Sequence, residues 1–271
     1  MPSSEQSVLG HPVVVHADAD ALGRAVAAAI VERALEARAA GRRFLLGCPG
    51  GRTPVTTYAA LAEQLAAHDY DLREVVIVMM DDYLEPAGDA WVQISADAHN
   101  SCRRFAREDI QGVLTAAAQP GHALPDENVW FPDPAAPADY DVRIREAGGI
   151  DFFILASGAG DGHVAFNPPG SSVDSRSRIV ELAEQTRRDN LATFPEFPSI
   201  DAVQTHGVTV GIATIAELSK AAAMIVLDAG KRGAFDRLTA GEGYDPEWPA
   251  TVFRLIPGAA LHADRAAAGA A

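Results

Sequence analysis

Asp161 and His163 stand two residues apart in the glycine-rich stretch SGAGDGHVAFNPPGSS (157–172), directly after the apolar run DFFILA. An imidazole is the side chain best suited to move protons near neutral pH, and a carboxylate beside it can orient it or act with it. A solvated loop histidine would read the same way, so the pair gains weight only from what gathers around it. Three other stretches carry comparable chemistry. In CPGGRTPVTTY, Gly50 and Gly51 allow a tight turn and close backbone approach to a ligand, while Thr53 is placed to cap a helix that has Pro54 at its first position. Free amides at a helix start favour an anion, to which Arg52 adds a cation; the GxxxxGK[ST] spacing of a P-loop is absent. In MMDDYLEP, Asp81 and Asp82 follow an apolar run. Partial burial and a neighbouring charge there can lift a carboxyl pKa towards that of a general base. In AGKRGAFDRL, Lys231 falls in the first turn of a predicted helix. That place is unfavourable for a cation unless an anion is shared with the GGRT turn.

Each stretch follows a predicted strand. Short β-branched or apolar runs read as strands at 12–16, 43–48, 74–81, 128–133, 151–157, 207–213, 222–228 and 251–256. Helical patterns lie between them. In one, Leu22, Val26, Ile30, Ala34 and Ala37 share a face before Gly41; others follow at 53–68, near 135–147 and between the strands at 222–228 and 251–256. Continuously apolar strands separated by helices imply a mostly parallel sheet covered on both faces. The expected fold is α/β: a single open three-layer αβα sandwich with a Rossmann-like sheet spanning 1–271, its ends (about 1–10 and 264–271) flexible. Ligands of such sheets bind beyond the carboxyl ends of the strands. Residues just after 48, 80, 157 and 228 are therefore expected to form one pocket with an anion hook, a carboxylate base and a histidine proton carrier.

Composition narrows the partners. Lys+Arg 22 against Asp+Glu 37 gives a net charge of −15, a field that repels nucleic acid and anionic membrane. Neither is expected as a partner, and an anionic substrate needs a local basic pocket. Cys48 and Cys102 are too few for a disulfide framework or, alone, a metal site. No second His or Cys lies at metal-ligand spacing from His163, and no GxSxG elbow is present. No signal peptide or membrane span is visible, so a cytoplasmic protein is expected, for which a homo-oligomer is compatible.

The stretches LLGCPGGRTPVTTYAAL, VVIVMMDDYL, DGHVAFNPPGSS, SRSRIVEL, VTVGIATI and MIVLDAGKRGAF occur in the order expected of the glucosamine-6-phosphate deaminase / 6-phosphogluconolactonase family, which the chain resembles from about Pro12 to His262. DDY and DGHVAFN resemble the deaminase branch. The resemblance implies that Asp81 takes a proton from C2 of an open-chain sugar and delivers it to C1, and that His163, assisted by Asp161, opens the sugar ring. It also implies that Gly51, Arg52, Thr53 and Lys231 hold the substrate phosphate, with Gly50 and Asp82 beside the substrate. Neither metal nor organic cofactor is needed for such a 1,2-proton shift.

Two positions depart from the pattern: Pro168 replaces a glutamate that partners the histidine, and Ala192 aligns near a phosphate-clamping arginine. Arg52 can replace that arginine from the other side, and Arg187 and Arg188 are further candidates. In the SSVDSRSRIVEL stretch, where some relatives carry an allosteric site, Val180 and Glu181 are unsuited to a second phosphate. The leading expectation is an enzyme converting an amino-sugar phosphate such as glucosamine 6-phosphate to a ketose phosphate and ammonia. The alternatives are a sugar-lactone hydrolase and a non-catalytic sugar-phosphate sensor.

Overall fold

The runs 44–48, 75–79 and 222–226 are buried at every position, which a strand achieves only inside a sheet covered on both faces. The computed structural model describes residues 6–8 and 10–270. Its strands are β1 Gln6–Val8, β2 His11–His16, β3 Phe44–Cys48, β4 Val75–Met79, β5 Asp81–Ala87, β6 Ala90–Gln93, β7 Val129–Trp130, β8 Phe152–Ala156, β9 Arg178–Glu181, β10 His206–Thr209, β11 Ala222–Val226 and β12 Ala259–Asp264. Its α-helices are α1 Ala19–Ala39, α2 Val55–Ala67, α3 Cys102–Phe105, α4 Gly112–Ala117, α5 Pro137–Glu146, α6 Glu184–Thr193, α7 Ile212–Leu218, α8 Arg232–Thr239 and α9 Arg265–Ala268.

The main sheet runs β1-β2-β12-β11-β8-β3-β4-β7. All its pairings are parallel except that of the edge strand β1 with β2. Alternating strand residues feed two cores, as a period of two requires. Phe44, Leu46, Ile77, Met79 and Ile154 meet α1 and α2 through Leu22, Ile30 and Leu61. Leu45, Val76, Val78, Phe153 and Leu155 meet the opposite layer through Ile144, Ile215, Leu238 and Phe253. The three-layer sandwich is as expected.

A second, antiparallel sheet, β6-β5-β10-β9, was not foreseen. It forms because the run 74–81 breaks after Met79: Met80 O accepts from Val210 N at 2.8 Å, and the chain turns out of the main sheet into β5. The predicted strand at 207–213 likewise divides into β10 and the start of α7.

The run 251–256, expected as a strand, lies in a 3-10 helix, Pro249–Leu255, that drives Val252 and Phe253 into the core. Apolar periodicity over so short a run does not separate a buried strand from a buried helix. The last parallel strand is β12, so the C-terminal end expected to be flexible begins as sheet. Asp264 accepts from Ala267 N at 2.7 Å, capping α9, whose Ala267 is fully buried. At the other end Gln6–Val8 pairs with β2. The rest of that expectation, at residues 1–5, 9 and 271, lies outside the described residues. No helix among the described residues is long and apolar enough to cross a membrane.

Candidate active site

All four predicted strand ends open into one cleft of about 980 Å³. The turn after β3 contributes Gly50, Gly51, Arg52 and Thr53; the break after β4 contributes Asp81; the loop after β8 contributes Ser157 and His163; the turn after β11 contributes Lys231.

Asp81 and Asp82 begin β5, where successive side chains point to opposite faces. Asp81 lines the cleft although its residue is only 5% exposed. Its Oδ1 accepts from the Cys102 thiol at 3.4 Å. Burial pushes its carboxyl up to about 7; the Cys102 thiol and the charge of His163 work against the rise, and the neighbouring Asp82 adds to it. Asp82 does not line the cleft, correcting the expectation that it sits beside the substrate. Strand alternation turns it away, fully buried, to accept from Cys102 N at 3.1 Å, from Tyr83 N at 2.9 Å and from Arg103 Nε at 3.0 Å. Burial lifts its carboxyl to about 6, restrained by the Arg103 guanidinium and the two amides.

Asp161 stands behind His163 and away from the cleft lining. Its Oδ1 meets His163 Nδ1 at 2.7 Å and His163 N at 3.2 Å. Burial alone would raise its carboxyl, but the hydrogen bonds and charge of His163 outweigh it and hold the group below the usual carboxylate range. Its Oδ2 is buried with no hydrogen-bond partner among the described residues. Pro168, where a glutamate was expected, does not reach the cleft; its carbonyl accepts from Ser171 N and Oγ. The hydroxyl of Thr186 on α6 lies 3.4 Å from His163 Nδ1.

This couple requires Gly158, whose amide donates to His163 O at 2.8 Å. A Cβ there would strike both His163 Nδ1 and Asp161 Oδ1. Gly158→Ala is expected to push the pair apart and cost about 1–3 kcal/mol of stability. Ring-nitrogen NMR of His163 checks this: the variant should lose the Nδ1–H···carboxylate signature, and an unchanged spectrum would count against the packing described.

The turn Gly50–Thr53 presents the start of α2, with Gly51 at φ +83, a conformation open to glycine. Thr53 does not cap the helix. The α-helical turn starts one residue later, at Val55 behind Pro54, leaving the Thr53 hydroxyl without a hydrogen bond among the described residues and on the cleft wall. Arg52 also lines the cleft and has no acidic partner among the described residues. Lys231 ends the short 3-10 helix that leads into α8, and its Nζ donates to Ser157 O, tying the ends of β11 and β8 together. Burial lowers its pKa, opposed by Asp189, Asp228 and Asp161.

The wall on α6 comes from Thr186, Asp189, Asn190 and Thr193, with no cation among them. Arg187 braces Ile200 O and Val203 O, and Arg188 pairs with Glu184, so neither faces the cleft. Cys102, Arg103 and Thr186 escaped sequence reasoning. Cys102 follows Ser101, whose hydroxyl caps α3, and that cap was a local signal in the sequence; nothing local tied Thr186 to His163.

The family described as glucosamine-6-phosphate isomerases/6-phosphogluconolactonase matches residues 17–260. The glucosamine-6-phosphate deaminase of Beutenbergia cavernae is 36% identical over 255 residues, covering 93% of this chain and 88% of that protein. That of Cutibacterium acnes is 33% identical over 262 residues, covering 94% and 90%. Among solved structures, a monomeric glucosamine-6-phosphate deaminase superposes with a TM-score of 0.79 at 26% identity, covering 95% of this chain and 98% of that one. A 6-phosphogluconolactonase from Thermotoga maritima, at 18% identity, TM-score 0.65 and coverage of 93% and 98%, shares the fold.

Proposed function

The chain belongs to the glucosamine-6-phosphate isomerase/6-phosphogluconolactonase family, and we propose that it deaminates and isomerises an amino-sugar phosphate, glucosamine 6-phosphate being the first to test. The observation that carries this is Asp81: a cleft-facing carboxylate that burial brings to about 7, with a histidine, His163, lining the same cleft. A base of that pKa is about half ionised near neutral pH and yet strong enough to take a carbon-bound proton.

In this reading the Gly50–Thr53 turn, Arg52 and Lys231 grip the phosphate, and Arg52 takes over from a cation that α6 does not supply. His163, held by Asp161 so that Nε2 is free, moves a proton from the anomeric hydroxyl to the ring oxygen and opens the sugar. Asp81 removes the C2 proton to form an enolamine and, once that proton has exchanged with solvent on the carboxyl, protonates C1, leaving a ketiminium at C2. Water adds there, and the carbon–nitrogen bond breaks to release ammonia and a ketose phosphate. That exchange aside, every atom comes from substrate and one water.

The test is an NMR time course in deuterated buffer, with glucosamine 6-phosphate in one sample and 6-phosphogluconolactone in another. Ammonia release with deuterium at C1 supports the reading. Lactone opening above its spontaneous rate with the amino sugar untouched replaces it with hydrolysis centred on His163, and silence in both points to a binding protein. The acid limb of kcat/KM is expected near pH 7, because Asp81 must be ionised to act. A rate still flat about two units lower would remove Asp81 as the base.

A further inference from the structure

Helix α3 is fastened to β5 at two adjacent points. The Ser101 hydroxyl caps it by accepting from Arg103 N and Arg104 N at 3.2 and 3.3 Å. Asp82 then takes the Cys102 amide on Oδ1 and the Arg103 guanidinium on Oδ2. The first helical side chain, Cys102, is thereby placed on the cleft wall with its sulfur 3.4 Å from Asp81 Oδ1. Asp81 Oδ2 receives no hydrogen bond among the described residues. We propose that Cys102 is a positioning residue for the proton shift, its thiol holding Oδ1 of Asp81 so that Oδ2 alone is presented as the base. The inference rests on the reading of Asp81 given above.

The contact is a thiol donating to a carboxylate. Burial, with Asp81 and Asp82 alongside, pushes the Cys102 thiol well above its ordinary range, so the sulfur keeps its proton. A donor to the charged form of an acid favours that form; the thiol therefore restrains a carboxyl that burial would otherwise drive higher. The other ionisable groups whose charge acts on Asp81 are Asp82, with its Arg103 partner, and His163, which lines the same cleft. Tyr83 and Tyr140 are buried phenols held well above their ordinary range, hence neutral.

The experiment compares Cys102→Ala and Cys102→Ser with the unaltered enzyme, by pH profiles of kcat/KM and by carbon-13 NMR titration of the Asp81 carboxyl in the free protein. In Cys102→Ala the acid limb and the titration midpoint are both expected to rise by roughly half a unit to one unit. That corresponds to a loss of about fivefold at pH 6 and little change at pH 9. Cys102→Ser keeps a donor and is expected to restore both midpoints, which separates the hydrogen bond from packing; it also serves if the alanine variant folds poorly. An Asp81 midpoint that does not move in Cys102→Ala overturns the proposal, as does a pH-independent loss of rate in both variants. The titration needs no turnover: if the enzyme proves inactive on amino-sugar phosphates, the proposed function falls while the thiol–carboxylate link is still decided.

Discussion

Asp81→Asn is expected to keep the fold and to lower kcat by about three to four orders of magnitude, with no solvent deuterium entering C1 of the product. The amide is nearly isosteric and its carbonyl can still accept from Cys102 Sγ, so the surroundings of α3 and β5 should hold. What is lost is the base. The same variant tests the electrostatics independently of catalysis. Burial takes the Asp81 carboxyl from an ordinary 3.8 to about 7. Between those values the folded chain carries a proton that the unfolded chain has released. This group's contribution to stability is therefore greatest below the lower value, falls as pH rises through the interval, and is flat above it. Asparagine cannot ionise, so the variant should match the wild type at low pH and exceed it at pH 8 by on the order of 2–4 kcal/mol. Urea unfolding at both ends of the interval measures this. Residual deuterium exchange at C1 would remove Asp81 from the reaction, and a variant less stable than the wild type at pH 8 would contradict the account of its burial.

The sequence made the strand ends legible because parallel strands buried on both faces write themselves as unbroken apolar runs. The residues following such runs must lie on one sheet edge. Gly50, Arg52, Asp81, His163 and Lys231 therefore gathered in one cleft without reference to any relative. Which of two neighbours faces inward was not readable. Asp82 turned away because β5 is a separate strand starting at Asp81, and that break depends on Met80 bonding to Val210, more than a hundred residues further along. The same long-range logic hid the second sheet, made Thr186 a neighbour of His163, and put the last strand at 259–264 instead of 251–256. A buried 3-10 helix and a buried strand satisfy the same short apolar pattern. Cys102 was passed over for another reason: a thiol is weakly polar, and its part arises only from the Ser101 cap and the Asp82 clamp that aim it. The assignment of roles within the cleft leaned on the family resemblance, whereas the existence of the cleft did not.

His163→Gln is expected to cut kcat/KM by about two to three orders of magnitude and to change which step limits the rate. Nδ1 is committed to Asp161 at 2.7 Å, with the Thr186 hydroxyl at 3.4 Å, so the proton is fixed on Nδ1 and the lone pair of Nε2 is offered to the substrate. Glutamine can contact Asp161 but cannot alternately take and give a proton. The variant must then wait for sugar rings that open spontaneously, while Asp81 still awaits the open chain. A substrate deuterated at C2 should show a primary isotope effect with the wild type where proton transfer limits, and an effect close to one with His163→Gln. Asp81→Glu misplaces the base and leaves the ring-opening couple intact, so it should show the full effect at a reduced rate. A full isotope effect in His163→Gln would mean that ring opening never depended on the imidazole and would return the Asp161–His163 pair to a structural part. If His163→Gln lost lactone hydrolysis and the wild type showed no isotope effect on any sugar, the histidine would be activating water instead.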